Sequence, residues 1–86
     1  MRVVVPSPLF SYTSGQKELD GSGKSLSQLL AFLENRYPGM RHRIIDEQGR
    51  IRSHIRFFVN GEGTNSLDRA LRPDDEVIIV AALSGG

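Results

Sequence analysis

Two glycines, Gly85 and Gly86, close this chain directly after a run of apolar residues. Neither carries a Cβ, so the backbone at this end is thin and its terminal carboxylate is unhindered. A chain-terminal carboxyl has a reference pKa of about 3.3–3.7, which leaves it ionised at neutral pH. The stretch Leu83-Ser84-Gly85-Gly86 reaches on the order of 13–14 Å at about 3.3–3.6 Å per residue, enough to thread into a buried pocket of another protein. Most chain ends are simply frayed, and two glycines alone do not separate the two readings.

The other candidate constellations fall short of a site. Gly21-Ser22-Gly23-Lys24-Ser25 looks like a phosphate-binding loop opening a helix. The full pattern needs a glycine five positions before Gly23, and that position is Glu18, an anion where a phosphate would sit. The segment therefore reads as a turn followed by a helix cap. His42 and His54 lack zinc-ligand spacing, and no cysteine exists to complete a metal site, a disulfide or a thiol nucleophile. Serine, histidine and aspartate are present without a nucleophile elbow. Arg41, Arg43, Arg50, Arg52 and Arg56 form a local basic cluster offset by Asp46 and Glu47, with Phe57 and Phe58 following. That pattern suits RNA phosphates and stacked bases, or an acidic protein partner. A formal net charge of +1 and the lack of an RNA-module signature favour the protein partner.

The elements that must position these residues fit one domain. At 86 residues, 38% of them apolar, the chain supports one modest core and leaves little room for an enzyme cleft. No apolar run approaches the roughly 18 residues of a spanning helix. No secretory leader pattern opens the chain, so the expected location is cytoplasmic. Arg2–Val5 reads as a first strand ended by Pro6, and Gln16–Asp20 as a short second one. Ser25 and Gln28 form a capping box, and Leu26, Leu29, Leu30 and Leu33 fall on one face of the helix that follows. Tyr37-Pro38-Gly39 stops that helix. Arg41–Ser53 reads as loop, with a short hairpin around Gln48-Gly49. His54–Asn60 alternates, with Ile55, Phe57 and Val59 on one face and Arg56 and Phe58 on the other. Asn60-Gly61 is a tight-turn signal. Leu67–Leu71 reads as a short helical turn and Arg72-Pro73-Asp74-Asp75 as a type I turn. Glu76–Leu83 is a last strand, apolar on both faces. If Val77, Ile79 and Ala81 face the helix, then Ile78 and Val80 lie on the open face near Phe58. Such a patch on a small domain marks a partner site or is a scatter of surface hydrophobes.

Taken together and in order, several segments give the whole chain a resemblance to the MoaD/ThiS family of ubiquitin-like sulfur carriers. They are Pro8-Leu9 through Thr13-Ser14-Gly15-Gln16, Tyr37-Pro38-Gly39, the stretch from Arg43 to Gly49, the stretch from His54 to Gly61, Asp75-Glu76-Val77, and the ending Leu83-Ser84-Gly85-Gly86. The middle segments resemble most the carriers that serve cysteine synthesis. Molybdopterin-synthase small subunits share the tail. Asp74, Ala81-Ala82 and Phe10 depart from the family pattern.

The resemblance implies an α+β, β-grasp fold: a mixed sheet of four to five strands with one main helix on one face. It implies a single domain over residues 1–86, with 83–86 as a flexible tail. It also implies a co-substrate rather than an enzyme, with no bound cofactor. An E1-like partner would use ATP to adenylate the carboxylate of Gly86. A sulfur donor would then convert it to a thiocarboxylate. Ser84 and Gly85 would thread the partner's pocket, while Leu83, Val80, Ile78 and Phe58 would dock against it. The acceptor would be a synthase, either a PLP-dependent cysteine synthase type or the molybdopterin synthase large subunit. A ubiquitin-like covalent modifier, joined through Gly86 to lysines of other proteins, is the alternative. Neither nucleic acid nor membrane is an expected partner.

Overall fold

The structure, a computed structural model, describes residues 1–82. Five strands form one mixed sheet: β1 (Arg2–Val4), β2 (Glu18–Asp20), β3 (Ile55–Val59), β4 (Glu62–Thr64) and β5 (Glu76–Ala81). Their order across the sheet is β2-β1-β5-β3-β4. The central pair β1 and β5 is parallel and every other pairing is antiparallel. Helix α1 (Leu26–Arg36) covers one face, and the short α2 (Met40–Ile44) follows it. The expected mixed sheet with one main helix is present, with five strands.

Side-chain alternation decides what the sheet covers. Val3, Leu19, Ile55, Phe57, Val59, Val77 and Ile79 are buried, and they share one core cluster with Leu26, Leu29, Leu30 and Leu33 of α1. Each leucine so buried contributes about 1.5–3 kcal/mol of transfer free energy. β5 is central, with both edges hydrogen-bonded, but only Val77 and Ile79 on one face lie in the core, so core burial does not explain the apolar Ile78 and Val80 on the other face.

The start of α1 differs in one detail from the expected capping box. Ser25 Oγ does accept the Gln28 backbone N–H, at 3.2 Å. The Gln28 side chain, however, accepts from the N–H of Lys24 at 3.0 Å, not from that of Ser25. The N–H groups of Leu26 and Ser27 donate to the carbonyls of Arg69 and Leu67, and that of Leu71 to Lys24 O. Leu67 and Asp68 form a single turn closed by the Arg69 N–H on Ser66 O, but no helix continues to Leu71; the segment crosses the start of α1 and consumes its free donors. The glycine-rich approach serves packing: a Cβ on Gly21 would sit 2.6 Å from Leu29 Cδ1. Gly23 combines a φ of +152° with a Cβ position 2.6 Å from the Leu29 backbone nitrogen. No N–H of this turn is left for a phosphate from Leu26 through Leu29, because Leu29 N–H donates to Ser25 O.

Two elements run against the sequence reading. The stretch 41–53, expected as loop, opens with α2, whose Met40 and Ile44 are buried one helical turn apart. Its start is capped from α1: Glu34 accepts the N–H groups of Gly39 at 2.8 Å and Arg41 at 2.9 Å. These backbone bonds hold the Glu34 carboxyl below its usual range. Beyond α2 the expected small hairpin is present, with Ile45 bridging Ile51 and Asp46 accepting from the N–H groups of Gln48 and Arg50. The second missed element is β4, a polar edge strand joined to β3 through Asn60 (φ 51°) and Gly61 (φ 83°). Two successive positive φ values are the signature of a two-residue type I′ hairpin.

Candidate functional site

The register of β3 on β5 builds a patch on the face opposite α1. Phe58 pairs with Ile78 and Arg56 with Val80. On the other side of β5, Ile78 pairs with Val4, which extends the row to a third apolar side chain that the sequence reading did not place there. Phe58 and Ile78 are half-buried, whereas Val80, at 39% exposure, is the exposed large hydrophobic residue among those described. Phe58 pairs with Gly63 of β4. A Cβ there would lie 3.4 Å from Phe58 Cε1, so the glycine leaves room for the ring over the sheet edge. Phe58, Ile78 and Val80 are therefore brought together as expected.

Charges bracket this patch. Arg2 bonds Glu76, its register partner on β5, and Glu18 of β2, two residues from its register partner Asp20. The side-chain hydrogen bond from Arg2, followed by its charge, holds the Glu18 carboxyl below its ordinary value. At the opposite end Arg56 donates from Nη1 to the carbonyls of Ser53 at 2.6 Å and Ile55 at 2.9 Å. The guanidinium is held by the backbone leading into β3, and Arg56 is the register partner of Val80, so the patch has a cationic border at this end of the strand.

β5 is secured to its last turn. The N–H of Ala82 donates to His54 O at 2.7 Å, one residue beyond the Ile55–Ala81 pair. Leu83, Ser84, Gly85 and Gly86, to which the sequence reading assigns the chemistry and part of the docking surface, lie outside the described residues. The position from which they depart is the end of a hydrogen-bonded central strand, next to Val80 and Arg56.

The arginine cluster spreads over two concavities that share Arg52. Arg43 and Arg52 line a cavity on the α2 side together with His42 and His54, and Arg52 also lines a second one with Arg56 and Phe58. Sequence distance hid this meeting of two histidines; only the placement of α2 against the start of β3 produces it. Among the described residues no group of three His, Cys, Asp or Glu side chains can hold a metal ion. No described helix is long and apolar enough to cross a membrane.

Comparison with known proteins agrees with this geometry. The model of the ThiS family matches residues 3–86. The chain is 32% identical to the sulfur carrier protein CysO of Mycobacterium tuberculosis over 98% of its own length and 96% of that protein's. The crystal structure of that CysO superposes with a TM-score of 0.89 at 30% identity, covering 95% of this chain and 98% of the other. A BexX/CysO complex from Amycolatopsis orientalis contains a chain that superposes equally well, at a TM-score of 0.89 and 25% identity over 99% and 98%. Small archaeal modifier protein 1 of Methanosarcina acetivorans follows at a TM-score of 0.79 and 26% identity, over 99% and 94%. Five strands in this order, one helix on one face and a family match running to the last residue lead to one assignment: the chain belongs to the ThiS family of ubiquitin-like, β-grasp sulfur carriers, small carriers rather than catalysts.

Proposed function

We propose that this protein carries sulfur as a thiocarboxylate on Gly86, destined for cysteine or a related thiolated metabolite. The observation that carries the reading is the family match through Gly86, joined to an apolar patch that ends where the last four residues depart. In the first step a carboxylate oxygen of Gly86 attacks the α-phosphorus of ATP on an E1-like partner and pyrophosphate leaves. In the second, a hydrosulfide equivalent attacks the acyl carbon and AMP leaves with the electron pair of the broken C–O bond. The proton of the hydrosulfide passes to solvent. The bare carboxylate has no comparable leaving group, which is why ATP is needed. The partners supply positioning and transition-state stabilisation. This chain supplies an unhindered nucleophile and a docking face of Phe58, Ile78, Val80 and Leu83. The BexX/CysO complex supports the view that such carriers work bound to other proteins. A PLP-dependent synthase is the acceptor that fits the likeness to CysO, and a molybdopterin synthase large subunit is the other.

The test is mass spectrometry of the C-terminal peptide after incubation with ATP, the cognate activating enzyme and a sulfide source. Replacement of one oxygen by sulfur, confined to Gly86, is expected. An unchanged terminal mass refutes the reading. Deletion of Gly86, or addition of one residue after it, is expected to abolish charging while leaving the unfolding temperature intact.

The likeness to small archaeal modifier protein 1 favours a second reading, in which Gly86 is joined to lysines of other proteins. Immunoblots of cell extract separate the two: a ladder of conjugates identifies a modifier, and a single band a carrier.

A further inference from the structure

Beside the end of β5 lies a cavity of about 490 Å³, and Ala81 forms part of its wall. His42, Arg43, Arg52 and His54 line it next to the buried Leu9 and Ile55, and among the described residues no carboxylate does. Among the described residues the ion pairs join Met1 to Asp20, Arg2 to Glu18 and Glu76, and Arg69 to Glu62. None of these pairs involves Arg43 or Arg52; Asp46 feels the charge of Arg52 from outside the cavity lining, where backbone N–H groups already hold its carboxylate.

The two guanidiniums are already oriented. Arg43 donates from Nε to the Tyr12 hydroxyl at 2.9 Å, with its charge 6.0 Å from the centre of the Tyr12 ring. Arg52 donates from Nε to His42 O at 2.8 Å. Both tethers use Nε, and the Nη groups have no acceptor among the described residues. A guanidinium held at Nε has surrendered part of its rotamer freedom before any ligand arrives, and its fork matches a carboxylate through two parallel hydrogen bonds.

We infer that Arg43 and Arg52 dock an acidic segment of the activating enzyme, in which carboxylates flank an apolar side chain that reaches Leu9 and Ile55. The inference rests on the reading of Gly86 as the activated end. The position and lining of the cavity select a protein segment over a nucleotide. It lies beside Ala81, so an enzyme that engages the residues beyond it has this rim within reach, and the apolar wall of Leu9 and Ile55 suits a side chain rather than a phosphate. Charge complementarity at this rim sets encounter rate and partner choice, and the open apolar face supplies contact area.

Two measurements on the full chain test this. The first is thiocarboxylation by the cognate activating enzyme for wild type, Arg43→Gln, Arg52→Gln, the double variant, Arg52→Lys and the exposed control Arg50→Gln. The double variant is expected to raise KM about tenfold at unchanged kcat, from two partly exposed ion pairs. It is also expected to lose the salt dependence of kcat/KM that wild type shows. Arg52→Lys falls between, because it keeps the charge without the fork, and Arg50→Gln behaves as wild type. A folded double variant with wild-type KM and salt response overturns the inference, as does an equal loss in Arg50→Gln.

The second measurement is an amide NMR titration with a short peptide of glutamates flanking one leucine. Shifts at His42, Arg43, Arg52 and His54 that vanish in the double variant are expected. No shift there, or larger ones with polyuridylate, overturns the inference. If wild type itself is not charged in the first assay, the activation reading fails and the titration still decides the cavity.

Discussion

Replacing Val80 by aspartate is expected to slow activation of this protein without unfolding it. Val80 is 39% exposed and faces away from α1, so its removal leaves the core untouched. Full burial of a valine side chain is worth about 1.5 kcal/mol, and the exposed fraction leaves roughly 0.6 kcal/mol for a partner to recover. Val80→Ser therefore costs only about threefold in kcat/KM. The aspartate adds an anion that the partner must desolvate, at about 3 kcal/mol when no counter-charge meets it. Here one does: residue 80 pairs with Arg56, whose guanidinium is fixed at that end of the strand. An exposed ion pair returns about 1 kcal/mol. The net loss is about 2.5 kcal/mol, or roughly 50- to 100-fold in kcat/KM. Adding Arg56→Ala removes the relief and deepens the loss by about fivefold. The assay is thiocarboxylation at substrate concentrations below KM, with thermal unfolding as the control. Wild-type kcat/KM in a folded Val80→Asp protein refutes docking through the open sheet face. Partial recovery on adding Arg56→Ala refutes the assigned role of the arginine.

Stability measurements test the elements that hold the site. Gly23→Ala forces a Cβ to 2.6 Å from a backbone nitrogen at a φ of +152°, and is expected to cost at least about 2 kcal/mol in urea unfolding. Gly49→Ala, at a φ of +78° with nothing within 4 Å, is expected to cost only about 1 kcal/mol. The Glu34 carboxyl is held below the ordinary value of 4.5 by the N–H groups of Gly39 and Arg41. Its contribution is present above that value and is lost as pH falls through the lower folded pKa. The stability gap between wild type and Glu34→Gln is therefore expected to be widest near neutral pH and to close on acidification; a gap independent of pH refutes the cap.

The parts of the fold legible in the sequence are those where a local pattern and its tertiary use coincide. Leu26, Leu29, Leu30 and Leu33 follow helical spacing because one neighbour, the sheet, covers them all. Ile55, Phe57 and Val59 alternate because β3 is covered on one side. Asn60-Gly61 marked a hairpin, yet β4 passed unseen: Glu62-Gly63-Thr64 is an edge strand with a solvated outer side, so nothing demands apolar alternation there. In α2 the signal was Met40 and Ile44, one turn apart, obscured by Arg41, His42 and Arg43 between them. Leu67–Leu71 has apolar ends at helical spacing, but its carbonyls are taken by the first N–H groups of α1 and by long-range contacts no local rule contains.

The candidate site divides along the same line. The glycine ending, the absence of any cysteine and the two-faced apolar run of β5 were properties of the chain alone, because they depend on residue type and neighbour order. Alternation already put Ile78 and Val80 on the open face near Phe58; strand register decided that Val4 joins their row and that Arg56 pairs with Val80, Val4 coming from a strand more than fifty residues away from β5. The cavity where Arg43 and Arg52 meet His42 and His54 required α2 to pack at the end of the sheet. Which charges become neighbours depends on how buried faces stack, and surface residues exert little control over that stacking.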